Sequence, residues 1–246
     1  MREDVVNALA ADVPAEIAEG VELIRSRPEG VLGQAITWNP DAWRTAKLEL
    51  FHQEIEAVAM RCAVQESTGR RSITRGDVIR IAGDGDAVRT FLASMIWGFG
   101  PTGYGASRTG DIVRDNPDLV AKLEGQIAAA PNGPEAAWDA IERDHKIRGL
   151  GPAFGTKLAY FAALAADPPR PVPLIADLNT SWAMYALVGL RRSVKWRDSY
   201  LAYVEIAHRW AAENSWSADE IEWAAFRCWA NTKGRPVLKQ RLTISD

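Results

Sequence analysis

Apolar residues recur at three- and four-residue spacings along nearly the whole chain, so helices are expected almost throughout and no stretch reads as a convincing strand. Residues 14–27 open with Pro-Ala-Glu and place Ile17, Val21 and Ile24 on one face. Residues 30–40 hold Gly, Asn and Pro and read as a loop, with Trp38 as an anchor or a surface aromatic. The longest helix is expected over residues 41–67. Trp43, Leu48, Leu50, Phe51, Ile55, Val58, Ala59 and Cys62 form its apolar face, and Asn39 or Asp41 could cap it. Shorter helices follow over 75–81 and 86–99, the second burying Val88, Phe91, Leu92, Met95 and Ile96. Helices are also expected over 116–130, 134–147, 155–166, 177–190, 198–213 and 217–231, the last starting with a capping-box pattern, Ser-Ala-Asp-Glu.

Two stretches interrupt the periodicity. Residues 97–110, WGFGPTGYGASRTG, carry five glycines and one proline in 14 positions and are expected to be a loop that lets backbone approach a ligand or simply connects two helices. Its glycine spacing is not that of a phosphate-binding P-loop. The second interruption, residues 148–155, is a tight turn between two helices, and the Pro-rich segment 167–173 ends the helix that follows it.

Composition narrows the function classes. A chain of 246 residues, 47% hydrophobic, can bury a sizeable core as one domain or as two small lobes. Net charge is −3, so any nucleic-acid surface must be a local patch. Two candidates are Arg191, Arg192, Lys195 and Arg197 around Trp196, and Lys233, Arg235, Lys239 and Arg241 in an irregular tail; either can equally be a solvated face. Cys62 and Cys228 are the only cysteines and His52, His145 and His208 the only histidines, with no spacing that suits zinc or an iron–sulfur cluster, so no metal is expected. Few cysteines and no signal peptide point to a cytoplasmic setting, and no apolar run is long enough to span a membrane.

Candidate chemistry gathers in residues 147–182. The helix after the turn starts with open N–H groups able to hold a phosphate. Lys157 is expected in its first turn, where a positive charge opposes the helix dipole by roughly 0.3–1 kcal/mol. That suits either an ordinary surface lysine or a nucleophilic amine. Phe161, one turn on, is a core residue or the wall of a site for a flat substrate. Asp177 can cap the next helix, beside Asn179, Thr180 and Ser181, and can also stabilise a cation such as a sugar oxocarbenium ion.

The order LGPAFGTK, apolar helix, Pro-rich loop, VPLIAD, helix resembles the helix–hairpin–helix DNA glycosylases with a Gly/Pro loop and an essential aspartate. It is most similar to the 8-oxoguanine DNA glycosylase branch, whose hairpin runs Pro-Gly-Val-Gly-Thr-Lys. The resemblance covers residues 144–182, and the Gly-rich stretch at 97–105 resembles one in prokaryotic proteins of this group. It implies an all-α fold of two helical lobes sharing a cleft, one unit over 1–246 with its helix–hairpin–helix at about 134–166. It also implies base excision from duplex DNA carrying a damaged base, with AP lyase activity and no cofactor. The family's Schiff-base lysine falls on Lys157, its essential aspartate on Asp177 and a base-contacting position on Phe161, with Trp97 or Tyr104 completing a sandwich. Gly151, Ala153, Gly155, Thr156 and Asn179 would hold the DNA backbone. Two departures are the alanine at 153 where the family has glycine and the asparagine at 179 where it often has histidine; the four-cysteine cluster of some relatives is absent. A non-catalytic DNA-binding module, a glycosylase for another modified base and a helical interaction protein are the alternatives.

Overall fold

The computed structural model describes residues 3–101, 103–167, 171–191 and 195–230. The second basic cluster and its irregular tail lie outside these residues, as does Arg192 of the first. In chain order the elements are α1 (Glu3–Leu9), α2 (Ala15–Arg25), β1 (Ala35–Trp38), α3 (Pro40–Trp43), α4 (His52–Met60), β2 (Ala63–Gln65) and β3 (Arg70–Thr74). Then come α5 (Arg75–Gly83), α6 (Ala87–Phe99), α7 (Tyr104–Asp115), α8 (Leu119–Ala129), α9 (Pro134–Asp139), α10 (Pro152–Ala165), α11 (Leu178–Val188), α12 (Arg197–Asn214) and α13 (Ala218–Ala230). The fold is all-α with one small sheet, and the chain divides into two compact units, residues 32–173 and residues 1–31 with 174–246.

The sheet corrects the expectation of no strands. β3 is central and pairs antiparallel with β1, from Ala35↔Thr74 to Trp38↔Arg71, and with β2, from Ala63↔Ser72 to Gln65↔Arg70. Each strand is too short to show an alternation. Trp38 is the one fully buried residue of β1, as Ile73 is of β3. The long helix expected over 41–67 is likewise broken. Asn39 caps α3 through its side chain at 3.1 Å from the Asp41 amide, Arg44 leaves helical geometry at ψ 57°, and a 3-10 segment (Ala46–Phe51) leads into α4. Trp43, Leu48, Ile55 and Val58 are buried as their spacing predicts, but Leu50 is turned out and 84% exposed.

The unit of residues 32–173 is built around α10, which packs against α5, α6, α8 and α9. Every residue from Gly155 to Ala163 is buried, as expected of a helix that is apolar all round. In the other unit, α13 packs against α2, α11 and α12. It comes close to α2 at Gly20, where a Cβ would lie 2.6 Å from the Ala224 Cβ. The extended segment before α11 is buried there, and α12 satisfies two of its carbonyls. The Tyr200 hydroxyl donates to Leu174 O at 3.2 Å and the Tyr203 hydroxyl to Ile175 O at 3.1 Å. Burial pushes the Tyr200 phenol well above its ordinary range, which keeps it a neutral donor. These bonds fix the backbone immediately ahead of Asp177.

Candidate functional site

The hairpin between α9 and α10 is held from outside itself. α9 runs on through a π-helical turn (Ala140–Asp144), and the chain then reverses over Gly149, whose φ of +88° is left-handed and favours glycine. Asn116, at the end of α7, clamps this reversal. Its side-chain amide donates to Arg148 O at 2.9 Å and to Ile112 O at 2.8 Å, and its Oδ1 accepts from Arg148 N at 2.9 Å. Gln126 of α8 donates to His145 O at 2.9 Å, and Arg108 of α7 to Gly149 O at 3.0 Å. Because Asn116 is buried, Asn116→Ala leaves backbone groups unsatisfied; we expect a loss of about 2–3 kcal/mol in denaturant titrations, with weaker duplex binding.

Helix α10 starts at Pro152, three residues earlier than its apolar pattern suggests, because proline suits the first helical position and Gly151 takes the N-cap. This changes the roles expected of the hairpin residues. The Gly155 amide donates to Gly151 O at 2.9 Å inside the first turn, so it is not open to a phosphate. Its missing side chain serves packing instead, since a Cβ there would sit 2.6 Å from Ile141 Cγ2. Gly155→Ala is therefore expected to cost about 1–3 kcal/mol in thermal melts, and Ile141→Ala in the same chain to recover part of it. Thr156 is fully buried and faces the core. The amides of Gly151 and Ala153 have no partner among the described residues, and they sit at the positive end of a 14-residue helix. The substitution of glycine by Ala153 leaves its N–H in place. Arg148 in the turn is exposed, and with Arg108 it brings positive charge to the hairpin; neither was singled out by spacing or motif.

Lys157 lies in the second turn of α10 rather than the first, and it is only 6% exposed. Its Nζ donates to Ala153 O at 3.1 Å and stands 5.3 Å from the centre of the Phe154 ring. Gly98 makes room for it. A Cβ at Gly98 would be 2.6 Å from Phe154 Cε1 and 3.1 Å from Lys157 Cδ. The Gly-rich stretch is thus mostly helix, against expectation. Gly98 ends α6 closely packed on α10, and Gly105 brings α7 against Phe99 and Trp43, with only a short link through the left-handed Gly100 (φ +70°) between the two helices.

The aromatic residues divide into two sets. Trp97 and Phe161 pack edge to face with centroids 5.3 Å apart, and both are buried, Phe161 completely. Arg75, also buried, lies 5.0 Å over Trp97 and 5.4 Å over Tyr160, and Trp97 Nε1 donates to Gln34 O at 3.1 Å. Tyr104 is not part of this group. It is 65% exposed and packs edge-on against Phe99, which stacks on Phe154 at 4.3 Å. The aromatic path to Lys157 therefore runs through Phe99 and Phe154, which residue type alone did not single out.

Asp177 belongs to the other unit, where it caps α11. Its Oδ1 accepts from Asn179 N at 2.9 Å and Thr180 N at 3.1 Å, and its own amide donates to Thr180 Oγ1 at 2.9 Å. The carboxylate is half-buried. Asn179 is also half-buried, and its side-chain amide has no partner among the described residues. In the first basic cluster, Lys195 Nζ lies 5.4 Å from the ring of the exposed Trp196.

Comparison with known proteins gives one result. The family described as "Putative 8-oxoguanine DNA glycosylase OGG-like protein" matches residues 29–226. No curated protein and no solved structure matches the chain. The family match takes in the hairpin, Lys157, the segment leading to Asp177 and most of α13, and it covers well over half of the sequence. The chain belongs to this OGG-like DNA glycosylase family.

Proposed function

We propose that this protein excises an oxidised purine, 8-oxoguanine, from duplex DNA and cleaves the resulting abasic site through a Schiff base on Lys157. The observation that carries this reading is the placement of Lys157 on α10. A buried amine, tethered to the carbonyl of Ala153, lies one turn beyond the open amides of Gly151 and Ala153. Ala153 and Lys157 are about 6 Å apart along the helix axis. A phosphate held by the helix N-terminus brings the DNA backbone within one helical turn of the Lys157 amine.

The chemistry follows from that arrangement. The damaged nucleotide leaves the base stack, at a cost that is lower for a damaged base. Lys157, unprotonated for attack, forms a bond to C1′ as the glycosidic C–N bond breaks, and the base leaves with the electron pair and takes up a proton. The sugar ring opens to a protonated Schiff base. Loss of a C2′ proton then drives β-elimination, which breaks the C3′–O bond, and water hydrolyses the imine to return the free amine. Asp177 supplies negative charge as positive charge builds on the sugar. Trp97 and Phe161, buried against each other, back the site in the unit that carries Lys157 rather than face the base.

A duplex with a single 8-oxoguanine tests the reading. Release of the free base together with a strand nicked 3′ to the lesion is the expected result. Salt-sensitive binding without release of any oxidised purine would leave a DNA-binding module instead.

A further inference from the structure

Two arginines meet on one indole in the unit of residues 1–31 and 174–246. Arg27 Cζ and Arg227 Cζ each lie 5.3 Å from the centre of the Trp223 ring. No carboxylate pairs with either of them among the described residues. Other arginines in the chain are neutralised: the guanidinium of Arg61 meets Asp84 at 2.6 Å, that of Arg89 meets Asp86 at 2.8 Å and that of Arg114 meets Asp111 at 2.9 Å. Glu220, one turn before Trp223, is already engaged, accepting from Arg25 Nε at 2.9 Å and from the Ser217 amide at 2.8 Å.

The fold imposes this convergence. α2 and α13 approach so closely at Gly20 and Ala224 that the end of α2 and the last turn of α13 reach the same indole. Arg27 follows the C-terminus of α2, and Arg227 lies in the last turn of α13. A single basic residue at a helix C-terminus is favoured by the dipole. Two of them beside one ring repel each other, and an anion between them would relieve that repulsion. Trp223 itself is 4% exposed and packed with Ile24 and Val31, so it is a rigid support rather than a free stacking surface. Arg27 is exposed and Arg227 half-buried, and each carries a planar donor fork with no anion against it among the described residues. Phosphate oxygens fit such forks in geometry and in charge.

We propose that Arg27 and Arg227, braced by Trp223, form a phosphate clamp that grips the sugar–phosphate backbone of duplex DNA in addition to the hairpin. The proposal rests on the DNA-binding reading above, and its test separates the two. Affinity for a duplex carrying an uncleavable abasic-site analogue is measured by fluorescence anisotropy across a series of salt concentrations. Each of Arg27→Gln and Arg227→Gln is expected to lower the slope of log K against log salt by about one, and the double variant by about two. Arg27→Lys and Arg227→Lys keep the charge and are expected to keep the wild-type slope. Arg61→Gln, which removes an arginine already neutralised by Asp84, is expected to leave it unchanged. A double glutamine variant with the wild-type slope would overturn the clamp while leaving DNA binding intact. Lysine variants as impaired as the glutamine ones would also overturn it, since that pattern reports packing on Trp223 rather than phosphate contact. A wild-type protein with no salt-dependent affinity would overturn the DNA reading and the clamp with it.

Discussion

Lys157→Met is expected to abolish the borohydride-trapped adduct and to lower base release by roughly 10³-fold or more, while the protein melts at the wild-type temperature or above it. Methionine fills nearly the same volume as lysine, so the packing against Gly98 and Phe154 is kept. The change removes the hydrogen bond from Nζ to Ala153 O, among the contacts of the amine. It also removes an amine from a position that is 6% exposed, and relieving a buried polar group offsets the lost bond. A residue kept only for structure would show the opposite pattern, with stability lost and activity falling in proportion. Abolished chemistry in a protein of undiminished stability is the signature of a group retained for reaction.

The second large effect concerns Asp177, which does two things that one substitution can separate. Asparagine caps helices about as well as aspartate, so Asp177→Asn keeps the side-chain acceptor for the Asn179 and Thr180 amides and should change stability little. It removes the negative charge. Base excision is expected to fall by about 10²–10³-fold, because charge developing on the sugar is no longer balanced. Asp177→Ala removes both functions, and its melt should show a further loss of about 1 kcal/mol from the missing cap. If Asp177→Asn excised bases at the wild-type rate, Asp177 would be a helix cap and nothing more. Single-turnover excision assays beside thermal melts make the distinction.

The local signals in the sequence were good guides where one short segment decides the outcome. The N-cap at Asp177 depends on a few adjacent residues and is where local chemistry puts it, while the turn ahead of α10 ends three residues earlier than expected and is held by Asn116, Gln126 and Arg108 from α7 and α8. The burial of α6 and α10 follows from their apolar composition, although both are buried over eight or more consecutive residues rather than on one periodic face, and Val88 is only half-buried. The misreadings came from partners distant in sequence. Gly98, Gly105 and Gly110 look like loop residues until Phe154, Phe99 and the Lys47 side chain are seen packed against them, which makes them close-contact positions in helices. Gly155 misled in the same way, because Ile141 rather than a ligand occupies the space its side chain would fill. The break at Arg44 and the three-stranded sheet were hidden because each piece is only a few residues long. Arg75 carried no local sign of its burial between Trp97 and Tyr160, and Arg27 and Arg227 carried none of their meeting at Trp223.

For the chemistry itself, the most direct measurement is the site of covalent attachment. Wild-type protein is incubated with an 8-oxoguanine duplex in the presence of borohydride, the reduced adduct is digested, and the modified peptide is sequenced by mass spectrometry. A nucleotide remnant on Lys157 is the predicted result. An adduct on any other lysine or on the amino terminus, or base release with no adduct at all, would contradict the assignment of Lys157 as the nucleophile.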